Sequence, residues 1–204
     1  MSATVPALVA ADSARLRTRA ARHARSLPLA VCGLAVLVLV LTGADWFEGN
    51  QFWLLVLVPV AAFLATYVTA FALRLPSGVG VGSDGYGIAL VLSALVAFLF
   101  PWILLATGVP FVLGLGLVVL GLRASDRFLW VAGLVTMTAS LALVTVSGSG
   151  GASSVLHLVG TIALGLALLA AALVALRGER QTLAAGDGAP VSYTHLTLPT
   201  ICSV

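Results

Sequence analysis

The chain has no lysine, so ten arginines carry all of its fixed positive charge. Charge of either sign is scarce, at 8% of 204 residues against about 25% in globular proteins, while apolar residues reach 61% where about 45–50% is usual. A water-facing surface cannot be assembled from so few charges, which excludes an ordinary soluble domain. Two cysteines, Cys32 and Cys202, are too few for a disulfide framework and leave the redox compartment undetermined. No catalytic, metal-binding or cofactor-binding constellation stands out, so no cofactor or metal is expected. No acid or arginine lies inside a long apolar stretch, and intramembrane catalysis or proton-coupled transport ordinarily needs ionisable groups at depth. That absence weighs against an enzyme.

Long apolar stretches are what the chain does have. A helix rises about 1.5 Å per residue, so roughly 20 mainly apolar residues cross the ~30 Å hydrocarbon core of a bilayer. Uncharged stretches cover 27–44, 52–73, 86–122, 128–147 and 155–176. The third would make a helix of about 55 Å, too long for one crossing, and it holds Pro101 and the group Thr107-Gly108-Val109-Pro110, where a helix breaks or turns. Divided into 86–103 and 107–122, it brings the expected number of transmembrane helices to six, in an all-α polytopic protein. These two helices are short, and a pair that dips in and returns stays open as an alternative.

Arginine placement tests this count independently. With six spans, Arg15, Arg17, Arg19, Arg22 and Arg25 precede the first, Arg74 follows the second, Arg123 and Arg127 follow the fourth, and Arg177 and Arg180 follow the sixth. All ten then fall on one side, whereas five spans would set Arg123 and Arg127 opposite Arg74. The positive-inside rule therefore predicts a cytoplasmic N-terminus and a cytoplasmic segment after the last span, in the inner (plasma) membrane. The outer loops keep only Asp45 and Glu48. Trp46, Phe47, Phe52, Trp53 and Trp102 populate the outer headgroup level and Tyr86, Phe128 and Trp130 the inner one, as amphipathic rings prefer. The excess of Ala, Val, Leu, Gly and Arg resembles coding from a GC-rich bacterial genome.

The organisation expected is a basic arm over 1–26, a six-helix membrane domain over 27–176 and a cytoplasmic tail over 177–190. The arm and first apolar run, followed by Thr42-Gly43-Ala44, also fit a signal peptide, but the run is long for one and its removal would leave the other spans oriented alike. Residues 191–200, VSYTHLTLPT, resemble one-frame translation of a transposase adapter used in preparing sequencing libraries: GTC TCT TAT ACA CAT CTG ACG CTG CCG ACG encodes them in order. The segment 191–204 is therefore set aside with His195, Tyr193 and Cys202, and the natural protein is expected to continue beyond Ala189.

Candidate sites are few. Gly80-Val81-Gly82-Ser83-Asp84-Gly85 matches the dinucleotide fingerprint GxGxxG but lacks its strand, soluble βαβ unit and downstream acid, so a loop is expected. Gly85-Tyr86-Gly87 is similar to a potassium-filter tripeptide without the preceding pore helix. Arg15, Arg17, Arg19, Arg22 and Arg25 would attract anionic lipid headgroups at about 1 kcal/mol each, beside their role in orienting the first helix. His157, near the outer end of the last span, cannot hold a metal alone, and Asp45 with Glu48 supply too few oxygens for calcium.

One constellation remains, made of hydroxyls. Thr66 and Thr69 in the second span, Ser93 in the third, and Thr136 and Ser140 in the fifth fall roughly 6–18 Å above the cytoplasmic surface at 1.5 Å per residue. Facing one another they would line a polar pocket; otherwise each bonds back to its own helix carbonyl. Small residues recur every fourth position at Ala163, Ala167, Ala171 and Ala175, at Ala89, Ser93 and Ala97, and at Ala132, Thr136 and Ser140, the pattern expected of helix seams. The function expected is that of a non-enzymatic membrane-protein partner, assembly or regulatory subunit, with no nucleic-acid role. The alternative is a small-solute transporter component using the hydroxyl pocket. In size the chain is similar to substrate-binding membrane subunits of vitamin uptake systems, but its first span lacks their AxxxA docking pattern.

Overall fold

The structure is a computed structural model that describes residues 25–42, 52–74, 85–147 and 153–187. The arm through Arg22, the loop acids Asp45 and Glu48, Gly80 to Asp84 of the GxGxxG match and the segment 191–204 lie outside the described residues. Among the described residues every element is helical: α1 (Ser26–Leu41), α2 (Phe52–Arg74), α3 (Tyr86–Leu99), α4 (Pro101–Thr107), α5 (Val109–Arg123), α6 (Arg127–Ser147) and α7 (Ser153–Asp187). Segments of α2, α6 and α7 are long and apolar enough to cross a membrane, while α1, α3 and α5 are shorter apolar helices. These helices are apolar on every side. Leu166, Leu173 and Val174 of α7 and Val91 of α3 are exposed, an arrangement that suits lipid tails and would aggregate in water.

The long apolar run breaks at both expected places, yet into three pieces rather than two. A residue before proline is pushed out of the α region, so α3 ends at Leu99 and not near residue 103. Phe100 takes φ −129°, ψ 55°, and Pro101 opens α4 at a position where a missing N–H costs nothing. The second break falls at Gly108, with φ 81° and ψ 157°, a conformation essentially reserved for glycine. Pro110 then lies within the first turn of α5.

Packing centres on α5, which contacts α1, α2, α3, α4 and α6 and buries Val112, Leu113, Leu117 and Leu120. The two closest pairs are α5 with α6 and α1 with α7. Lipid supplies no hydrophobic drive for helix association, so a tight fit must. A Cβ on Gly133 would lie 2.6 Å from the Gly114 carbonyl oxygen, and one on Gly114 would lie 2.7 Å from that of Gly133. At the other pair, a Cβ on Gly33 would stand 3.0 Å from the Gly165 carbonyl oxygen. Phe63 of α2 lies over Gly116, filling the space where a side chain would be.

The expected alanine stripes fare unequally. Ala89, Ser93 and Ala97 are buried, and Thr136 and Ser140 are buried with Ala132 partly so. On α7 the stripe divides: Ala163 and Ala167 are exposed, Ala171 is partly buried and Ala175 buried, and the seam also runs through Thr161, Leu164, Gly165, Leu168 and Ala172. Helix α7 also continues to Asp187, past the boundary expected near residue 176. Between residues 177 and 185 the one glycine is Gly178, and a single glycine costs about 1 kcal/mol, too little to end a helix; the second, Gly186, lies at the helix's end.

Candidate functional site

Four of the five hydroxyl residues are buried: Thr66, Ser93, Thr136 and Ser140, each at 2% exposure or less. Thr69 lies on the exposed side of α2 and does not join them. Three of the four bond to their own helix. Thr66 Oγ1 donates to the Ala62 carbonyl at 2.8 Å, Ser93 Oγ to that of Leu90 at 2.9 Å, and Thr136 Oγ1 to that of Ala132 at 2.7 Å. Helices α2 and α3, which carry Thr66 and Ser93, pack together and onto α5, whereas α6 packs on α4, α5 and α7. Helix α5 thus stands between the two halves of the set.

Ser140 behaves differently. Its Oγ donates to the Thr107 carbonyl across the helix interface at 2.6 Å. In an unbroken helix that carbonyl would accept from the Phe111 N–H, but Phe111 bonds instead to the Gly108 carbonyl at 3.2 Å. The hydroxyl therefore satisfies the group that the break releases. A Cβ on Gly108 would come 3.1 Å from Ser140 Oγ, so this glycine also leaves room for the bond.

The other polar constellation lies at the end of the bundle where α1 begins, and it uses two acids that charge counting left without a role. Asp126 closes the α5–α6 turn. Ser125 takes φ 53°, the Asp126 N–H donates to the Gly121 carbonyl at 2.8 Å, and the helix ends in a Schellman motif. The same aspartate then caps α6, its Oδ1 accepting from the Phe128 N–H at 3.0 Å, while Oδ2 pairs with Arg25 Nε. Glu179, on α7, serves the start of α1. Its Oε1 accepts from the N–H groups of Arg25 at 3.1 Å and Ser26 at 3.2 Å, and Oε2 from Ser26 Oγ at 2.7 Å. A carboxylate among the unpaired N–H groups of a helix start is also favoured by the helix dipole.

Arg123 completes this end by lying against Gly85, where a Cβ would come 2.6 Å from Arg123 Cδ. Gly85 has φ 85° and caps α3, so its glycine identity follows from backbone shape and from the arginine beside it. Tyr86 and Gly87 are the first residues of α3, which is helix and not a carbonyl-lined filter. Tyr86 is buried rather than turned to a lipid interface. These contacts bring the starts of α1, α3 and α6, the end of α5 and the Glu179 turn of α7 to one end of the molecule.

A serine-aspartate pair directly before an apolar run is a local capping signal, so Asp126 was open to sequence reasoning. Nothing local points to Glu179, whose partners lie 153 and 154 residues away. His157 is half-buried on α7, its carbonyl accepting from Thr161 Oγ1 at 2.8 Å. Comparison with known proteins found no family model, no curated protein and no solved structure that matches the chain.

Proposed function

We propose that the chain is a multi-pass protein of the inner membrane, with six apolar segments and the arginine-bearing end in the cytoplasm, acting as a non-enzymatic partner, assembly or regulatory subunit. The observation that carries this reading is the division of polar groups. The paired charges Arg25 and Asp126 and the capping acid Glu179 gather at one end, while the buried hydroxyls within the bundle are directed to helix carbonyls. The end groups and Ser140 join helices, and the other buried hydroxyls are occupied by carbonyls of their own helix, rather than presented to a substrate. The clustering of helix starts and ends at the Arg25–Asp126 end supports the orientation read from arginine placement, since the chain must leave and return between them.

Two measurements test the proposal. Reporter fusions after residues 48, 80, 125 and 150 are expected to place the first and last outside and the middle two inside. At native expression level in its source cell, the chain is expected to run within a discrete membrane complex, and its deletion to lower the amount of a second subunit of that complex. Solute flux sustained by the purified chain alone in liposomes would sink the partner reading in favour of transport.

A further inference from the structure

We infer that the tip of the α3–α4–α5 hairpin is immersed in the outer leaflet and forms a contact surface for lipid acyl chains, short of the outer aqueous face. Heights along the helices carry the argument. Arg123 lies against Gly85, so the start of α3 and the end of α5 share one level at the arginine-bearing end. From there α3 rises 14 residues and α5 spans 15, about 21–22 Å each at 1.5 Å per residue. Helix α6, beginning beside Arg123 at Arg127, rises 21 residues or about 31 Å, the thickness of bilayer hydrocarbon. The two legs therefore stop well below the top of α6.

A direct contact gives the same level. Gly108 faces Ser140 and Val144 of α6, and α6 continues to Ser147, about 5–10 Å farther. Since α4 begins at the top of α3 and ends at the top of α5, it lies across the bundle at that depth rather than extending either leg.

Composition matches the placement. Residues 100–107, Phe-Pro-Trp-Ile-Leu-Leu-Ala-Thr, contain no charge, and Trp102 is 77% exposed beside exposed Leu99, Phe100 and Ile103. Several polar groups at the two breaks are bonded within the protein. Phe100 N–H donates to the Val96 carbonyl, Ile103 N–H to that of Phe100, Gly108 N–H to that of Leu104, and Thr107 Oγ1 to that of Ile103. The Ser140 bond to Thr107 adds a further internal partner at the second break, lowering the cost of placing that backbone in hydrocarbon.

The inference rests on the orientation proposed above, and the test separates the two. In a chain retaining Trp102 with Trp46→Phe, Trp53→Phe and Trp130→Phe, reconstituted in vesicles, lipids brominated midway along their acyl chains are expected to quench Trp102 more strongly than a water-soluble quencher. In a Cys32→Ala background, Trp102→Cys in intact cells is expected to react with a membrane-impermeant maleimide about tenfold more slowly than Asp45→Cys, because apolar surroundings suppress the reactive thiolate. Labelling of Trp102→Cys as fast as Asp45→Cys would overturn the immersed tip. A Trp102 that is neither labelled nor quenched by lipid would overturn it too, since protein would then cover the surface. If Asp45→Cys itself fails to label, the orientation falls, and lipid quenching of Trp102 still decides whether the tip meets acyl chains.

Discussion

At its arginine-bearing end this bundle is held by groups reaching across helices: Asp126 caps α6 and pairs with Arg25, and Glu179 of α7 receives the start of α1. About 9 Å deeper, at six residues past Arg127, the same helices are held by missing side chains, with Gly133 against the Gly114 carbonyl. The contrast follows from the solvent on each side. Near water a charge keeps part of its hydration, so an acid can be directed to a helix terminus at modest cost. In hydrocarbon an unpaired polar group is expensive and apolar burial gives no advantage over lipid, which leaves close contact as the way to hold two helices.

Breaking the deep contact should have the largest effect. Gly133→Ala places a Cβ 2.6 Å from the Gly114 carbonyl oxygen and 2.7 Å from the Val118 amide nitrogen, both backbone atoms that cannot turn aside. Helices α5 and α6 must separate, and we expect a loss of about 3 kcal/mol, at the upper end for overpacking. Denaturation in a graded detergent mixture, followed by helical ellipticity, measures it. Gly178→Ala is the control: nothing lies within 4 Å of its Cβ, and the change should be neutral or stabilising by up to about 1 kcal/mol. Equal losses at the two sites would remove the role assigned to close approach.

Legibility in the sequence divides along similar lines. Helix limits set by local chemistry could be read: Pro101 and Gly108 break the long run, and the turn between Arg123 and Arg127 lies where the charges place it. The seams could not be chosen, because in an Ala- and Leu-rich span several small-residue registers coexist and only packing selects one. Ala163 and Ala167 satisfy the four-residue spacing, yet Gly165 between them is the residue against α1. The hydroxyls show the same limit. Spacing gave Thr66, Ser93, Thr136 and Ser140 a common height, but height does not reveal that α5 stands between α2 and α6.

The shallow end should respond less, and two substitutions separate its components. Asp126→Ala removes both the cap on α6 and the partner of Arg25. About 1 kcal/mol is expected for the cap, with at most a few tenths from the ion pair because the Arg25 side chain is 56% exposed. Asp126→Asn keeps a capping oxygen and should recover most of that loss. Added salt should narrow the small difference between wild type and Asn and trim the Ala deficit by the same amount, leaving the difference between Asn and Ala unchanged, since screening acts on the charge and not on the cap. If Asn is as damaging as Ala, the ion pair and not the cap dominates this turn.

The smallest effects fall within the hydroxyl set, where the comparison between reaching across and closing on oneself recurs in miniature. Ser140→Ala leaves the Thr107 carbonyl without its donor beside a backbone break, and interhelical bonds of this kind contribute about 0.6 kcal/mol on average and at most about 1.7. Thr66→Val removes a bond whose acceptor, the Ala62 carbonyl, already lies within the helix ladder, and it replaces a hydroxyl by a methyl of similar volume. Its effect should fall within about 0.5 kcal/mol of zero. Measured side by side, the two variants ask whether a buried hydroxyl matters for its depth or for what it bonds. A Thr66→Val loss equal to that of Ser140→Ala would favour depth, and would give Thr66 a partner beyond its own helix.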